Sequence, residues 1–234
     1  MRKRIDLIDC TRGFCLICMV FYHFLFNIVN MFDLPSALLY NPILNLLQIV
    51  FAAIFIIICG ISSNFSKNNI RRGFQICAAA LLVTIVTYSL NNVSYVKFGI
   101  LHFLGVSTLL FGLIKNKFDK LSLNKWVAPI LILLFILTRD LLLIDFNSDF
   151  LFIFGIMSDS FTSLDYFPII PWIFIFFAGA YLGKYIKIGL FPRWFYTVKC
   201  KPLSVIGKHS LLIYVLHQPI LTGLTILFVY LKGH

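Results

Sequence analysis

The chain has 234 residues, 60% of them hydrophobic and only 12% charged. A water-soluble domain carries about a quarter of its residues charged, so the composition excludes one and makes lipid the main solvent of the surface. The net charge of +11 would suit a nucleic-acid partner by its total alone, but its placement along the chain argues for membrane topology instead.

A bilayer core is crossed by about 20 apolar residues in helical form. In chain order the runs that qualify are 10–30, 43–63, 73–90, 98–115, 126–144, 167–187 and 209–231. They predict an all-α polytopic bundle of about seven transmembrane helices, built as one domain over 1–234. The first run is too long for a cleavable signal peptide and lacks a small-residue cleavage site, so it is expected to remain as an anchor. Phe150 to Met157 is apolar but short, and reads as a re-entrant or interfacial piece. The longest connections are expected at 145–166 and at 188–208, the latter holding Pro192, Arg193, Trp194 and Pro202; connections of this length are commonly functional. No internal repeat or low-complexity linker is evident.

With the N-terminus inside, the inner segments are 1–12, 62–73, 115–125 and 184–208. They hold all of the 20 Lys and Arg residues except Lys97, Arg139 and Lys232. This bias predicts a cytoplasmic N-terminus and an extracytoplasmic C-terminus in a multi-pass protein of the cell membrane. Asp33, Asp140, Asp145, Asp149, Asp159 and Asp165 all fall on the outer side. The basic inner face would also attract anionic lipid headgroups or an anionic cytoplasmic ligand; no nucleic acid is expected. The six cysteines (Cys10, Cys15, Cys18, Cys59, Cys77 and Cys200) lie in or beside apolar runs and read as small buried residues.

An ionisable side chain inside a span costs about 2.5–3.5 kcal/mol on insertion scales, so it faces protein or water and marks a candidate site. The first run carries Asp9, Arg12, His23 and Asn27. Arg12 and His23 are eleven residues apart, which returns to within about 20° of one helix face and separates them by ~16 Å along the axis. Asn27 continues that face one turn on. The same residues also admit a plainer reading, in which Asp9 neutralises Arg12 at the interface and His23 bonds a neighbouring helix. Small polar residues from Cys59 to Gly73 permit close helix approach, and Arg71 and Arg72 at the entrance of the third run suit phosphate groups, or act simply as topology anchors. His102 opens the fourth run. Asp165 stands before Pro168, Pro171 and Trp172, and the prolines predict an irregular helix start, tolerated where backbone lines a cavity. In the last run Ser210, Tyr214, His217 and Gln218 approximate one stripe, Pro219 should free carbonyls near Tyr214 and Val215, and Lys208 precedes the stripe. The histidines lack accompanying carboxylates or thiolates at metal-ligand spacing, so no metal is expected. His209 and His234 receive no role.

Taken together, residues 4–27 (ArgIleAspLeuIleAspCysThrArgGlyPheCysLeuIleCysMetValPheTyrHisPheLeuPheAsn), the turn from Cys59 to Gly73, PheGlyIleLeuHis at 98–102, AspTyrPheProIleIleProTrp at 165–172 and LysHisSerLeuLeuIleTyrValLeuHisGlnPro at 208–219 resemble the bacterial branch of the heparan-α-glucosaminide N-acetyltransferase catalytic-domain family. The spacing of Arg12 and His23 is also similar to the first-helix motif of the acyltransferase-3 family. The resemblance implies a transmembrane acyltransferase. Such an enzyme takes an acyl group, often acetyl, from cytoplasmic acyl-CoA as co-substrate and delivers it to a sugar or glycan on the far side. It implies His23 as the catalytic histidine and Arg12 as its cationic partner; Asp165, His102 and His217 are further catalytic candidates from the residues themselves. Residues 30–42 contain no histidine, so His23 is the nearest one available.

This chemistry is compatible with the residues read on their own. Arg12, Arg71, Arg72, Lys208 and Tyr214 are the candidates for binding the CoA moiety. The long arm of that cofactor is comparable to the ~16 Å between Arg12 and His23. A histidine at the thioester would act as general base or be acylated itself. Tyr214, Asn27 or Trp172 would serve as oxyanion donor, and Asp165 would orient a histidine or bind the acceptor. Cell-wall glycans, teichoic-type polymers and free amino sugars all fit as acceptor, acyl length and O- versus N-acylation stay open, and a homodimer is compatible. The alternative expectations are a membrane transporter or flippase that uses the intramembrane histidines, and a non-catalytic scaffold.

Overall fold

The computed structural model describes residues 5–139, 151–158 and 161–232. Among them it contains nine α-helices: α1 (Asp6–Met31), α2 (Pro42–Phe65), α3 (Asn69–Leu90), α4 (Ile100–Lys120), α5 (Val127–Arg139), α6 (Ile169–Lys187), α7 (Arg193–Thr197), α8 (Lys201–Lys208) and α9 (Ser210–Lys232). Two 3-10 turns lie at Ser36–Leu38 and Leu151–Phe154. No strand occurs among the described residues, only a single bridge between Phe98 and Tyr166.

Five of the helices, α1, α2, α3, α6 and α9, are long and apolar enough to cross a membrane. The fourth predicted run forms α4, which is long but extends into Lys115, Lys117 and Lys120. The fifth forms α5, an apolar helix followed to Arg139; its predicted remainder, 140–144, lies outside the described residues. So do Arg2, Lys3 and Arg4 of the basic N-terminus, residues 145–150 and 159–160 of the predicted outer connection, and His234; the outer acids Asp140, Asp145, Asp149 and Asp159 fall among these positions. The short apolar piece 150–157 contributes the 3-10 turn Leu151–Phe154 and no span. Long rows of exposed apolar side chains, such as Leu81, Leu82, Ile85 and Val86 on α3 and Leu216, Ile220, Leu224 and Phe228 on α9, would be intolerable in water and are what lipid contact requires.

The connection 188–208 differs from its sequence reading. It is not an irregular loop but carries α7 and α8. Pro202 sits in the first turn of α8, where a missing N–H removes a donor that has no intrahelical partner anyway. Pro42 starts α2 in the same way. Asn68 caps α3 by accepting from the Arg71 N–H at 2.9 Å, which extends that helix one turn upstream of the predicted run. The irregular start expected of α6 is present: Ile170 has non-helical φ and ψ of −94° and 130°, and the Ile170–Pro171 peptide is cis.

The helices gather into two compact units. The first comprises Met1–Phe55 with Pro192–His234, and the second Ile56–Phe191. In the first, α1 packs on α8 and α9. The α1–α8 crossing is set by glycine. A Cβ at Gly13 would collide with the Leu203 carbonyl, and one at Gly207 with the Asp9 carbonyl, so the two backbones lie in contact. Leu16, Cys15 and Val29 are buried along α1.

In the second unit α3 packs on α4, and α6 packs on α5 and α4. The core is aromatic: Phe111 lies 5.0 Å from Phe118 and 6.3 Å from Phe176, centroid to centroid. Gly60 on α2 meets the Phe176 carbonyl and Gly179 meets the Ile57 carbonyl in another backbone-to-backbone crossing. Two α6 side chains secure the end of α4. The buried Lys184 ammonium donates to the Phe118 carbonyl at 2.9 Å and the Leu121 carbonyl at 2.6 Å, satisfying terminal carbonyls and complementing the negative end of the helix dipole. The Tyr181 hydroxyl donates to the Ser122 carbonyl at 2.9 Å. The sequence reading counted Lys184 only as a topology charge.

Candidate active site

On α1, Asp9 and Arg12 form an ion pair at 3.1 Å, both side chains largely shielded from solvent. Arg12 also donates to the Gly207 carbonyl of α8 at 3.4 Å. The guanidinium thus ties α1 to α8 just where the glycine crossing brings the two backbones together. Part of the plainer expectation for this pair, mutual neutralisation, is therefore present.

Three turns along α1, His23 meets the last helix. Its ring centroid lies 5.0 Å from that of His217 on α9 and 5.8 Å from that of Tyr22. His217 in turn lies 5.4 Å from the Tyr214 ring, and its Nδ1 is bonded to the Tyr214 carbonyl. One turn further, Asn27 Oδ1 accepts from Gln218 Nε2 at 3.0 Å, and Asn27 Nδ2 donates to Thr222 Oγ1 at 3.4 Å. The stripe expected on α1 (His23, Asn27) and the stripe expected on α9 (Tyr214, His217, Gln218) therefore face each other and form one polar seam within the first unit. The flanking stretches of both helices are mainly apolar, and such a seam is costly to build unless its groups satisfy each other or serve a ligand.

Lys208 is exposed at the end of α8. The remaining candidates belong to the second unit. Arg71 and Arg72 occupy the first turn of α3; Arg71 is exposed, while Arg72 is half-buried and reaches Cys59 Sγ at 3.4 Å. Trp172 lies between the rings of Phe135 and Phe167, each at 4.9 Å.

His102 and Asp165 are brought together at the start of α4. Asp165 Oδ2 accepts from the Ile100 N–H at 2.9 Å, an N-terminal cap supplied from a distant part of the chain. His102 Nδ1 accepts from the Gly99 N–H at 3.3 Å. Its Nε2 therefore carries the proton and donates to Thr84 Oγ1 at 3.1 Å, whose hydroxyl donates on to the Val96 carbonyl at 2.8 Å. Both ring nitrogens of His102 are thus engaged in local structure. Thr84 was not identified in the sequence, where it is one more hydroxyl in an apolar run. The same region holds the half-buried Tyr166, whose hydroxyl donates to the Phe152 carbonyl and whose pKa is pushed up to about 12 by burial, so it stays a donor at any physiological pH. Asp165→Ala is expected to lower stability by about 1 kcal/mol through loss of the cap, read as an earlier melting transition of the purified protein in detergent.

No group of three or more metal-ligating side chains occurs among the described residues. The profile of the family described as heparan-alpha-glucosaminide N-acetyltransferase, catalytic, matches residues 4–219, running from the N-terminal arm through both units to Pro219. The chain belongs to this family. It is therefore a membrane protein of an acetyltransferase family, with apolar helices that span the bilayer. No curated protein and no solved structure matches it.

Proposed function

We propose that the chain is a transmembrane acyltransferase that moves an acyl group, acetyl by preference, from cytoplasmic acyl-CoA to an extracytoplasmic sugar or glycan. The observation that carries the proposal is the pairing of His23 with His217 in a polar seam between two mainly apolar helices, in a chain of this family. His23 is the central catalytic residue, acting at the thioester by proton transfer, acyl capture or hydrogen bonding to the carbonyl oxygen. His217, Asn27 and Tyr214 complete its surroundings. Arg12 is the cationic partner on the same α1 face, ~16 Å away by helix rise. His102 and Asp165 act as positioning residues for the start of α4.

The phosphates of acyl-CoA are proposed to be attracted by Arg12 and Lys208 in the first unit and, independently, by Arg71 and Arg72 in the second. The latter two sit at the positive end of the α3 dipole, where cations are unfavourable on their own and an anion would offset the repulsion. We place seven spans on the apolar runs, with the N-terminus in the cytoplasm and the C-terminus outside it on the bias of basic residues; a family match over residues 4–219 supports treating the chain as one functional domain. Homodimerisation is a separate matter that the mechanism does not require.

The test is acyl-CoA binding and label exchange between radiolabelled acetyl-CoA and free CoA by the purified protein. Binding and exchange are expected, and Arg12→Ala or Arg72→Ala should weaken binding. Absence of any acyl-CoA binding by the wild type would defeat the proposal and favour transport, a role that the Pro219-interrupted α9 would also serve.

A further inference from the structure

We infer that the two histidines divide the work, with His217 Nε2 taking the proton from the acyl acceptor and His23 serving the thioester. The inference rests on the acyltransferase reading above. It starts from Pro219 in the interior of α9. A proline there has no N–H to give and crowds the carbonyl four residues back, so the helix wall just before it is loosened. That carbonyl belongs to Val215, and beside it His217 Nδ1 is bonded to the Tyr214 carbonyl. A carbonyl oxygen only accepts, so Nδ1 must carry the hydrogen. A neutral imidazole has one N–H, which leaves Nε2 with its lone pair. That Nε2 is buried and accepts no hydrogen bond among the described residues, although the His23 ring lies 5.0 Å away, centroid to centroid. The neighbouring Gln218 Oε1 is likewise buried and without a donor, while its amide nitrogen is held by Asn27.

A buried acceptor lone pair without a donor is costly, and here two occur on adjacent residues of one seam. What both lack is a hydrogen-bond donor, and an acceptor hydroxyl or amine supplies one. In the step so defined, the acceptor's oxygen or nitrogen bonds to the thioester carbon while its proton passes to His217 Nε2. The carbon–sulfur bond breaks, and the proton passes from Nε2 to the departing thiolate of CoA. His217 ends as it began, and no further reactant is needed.

His217→Asn is the informative variant, because its amide N–H retains a donor for the Tyr214 carbonyl while the Nε2 position is removed. With radiolabelled acetyl-CoA, kcat is expected to fall by at least about 100-fold, with KM for acetyl-CoA held within about twofold. A smaller fall, or a loss carried by KM, overturns the assignment. The nitrogen-15 shifts of His217 in the wild-type protein give a reading that does not depend on how a variant folds. A pyridine-type Nε2 with a pyrrole-type Nδ1 is expected, and the reverse overturns the assignment. Failure of the broader reading looks different: the wild type itself would then transfer no label. A wild type that works alongside an equally active His217→Asn removes only the role given to His217.

Discussion

His23→Ala is expected to lower acyl transfer by at least about 10²-fold, the range for loss of a positioned proton-transfer group or of a donor to a developing oxyanion. The magnitude follows from position. His23 is the ionisable side chain that α1 carries deepest into its apolar stretch, and it contacts another imidazole, His217, rather than a structural carbonyl or carboxylate. Removing it leaves Asn27 bonded to Gln218 and Thr222, so the seam keeps its anchoring polar contacts and the helices their packing. The loss should therefore appear in kcat at unchanged acetyl-CoA affinity, and the protein should melt near the wild-type temperature. A variant that keeps wild-type turnover would show that the imidazole is only a bridge between helices.

The second large effect is on folding. Gly207→Leu places a side chain where the Asp9 carbonyl already lies, in a crossing that also holds the Arg12 contact to the Gly207 carbonyl. Backbone on both sides leaves nothing flexible to yield, so α8 must move away from α1. The expected cost is about 3 kcal/mol or more, equivalent to a fall in melting temperature on the order of 10 °C for a chain of this size. Gly223→Ala provides the contrast. Nothing lies within 4 Å of a Cβ there, and alanine is the better helix former by about 1 kcal/mol, so stability should hold or rise slightly. Thermal melting of both variants in one detergent checks the pair.

Much of this architecture can be read from residue order because the bilayer imposes a strong length and polarity filter. Runs 10–30, 43–63 and 209–231 coincide with α1, α2 and α9 to within a turn. Shorter elements escape that filter. The eight-residue α8 is too brief to display a long apolar period, and Pro202 in its first turn mimics a break. At the candidate site, each helix announces its own polar face: Arg12, His23 and Asn27 on α1, and Tyr214, His217 and Gln218 on α9. That these faces meet is a tertiary fact, joining residues some 190 positions apart, and nothing local encodes it. His102 shows the opposite limit. A histidine at a span entrance looks catalytic in isolation, yet its nitrogens are committed to Gly99 and Thr84, a role fixed by how α3 and the α4 start pack together.

The central claim, chemistry at the His23–His217 seam that delivers an acyl group across the membrane, is tested most directly in proteoliposomes. Doubly labelled acetyl-CoA, with one label in the acetyl group and another in the adenine, is supplied on the face bearing the protein's N-terminus, and amino sugars or glycans are enclosed on the other. The account predicts that the acetyl label alone crosses and becomes covalently attached to acceptor, while the adenine label stays behind as free CoA in equal amount. Passage of both labels together, or of neither, would contradict it.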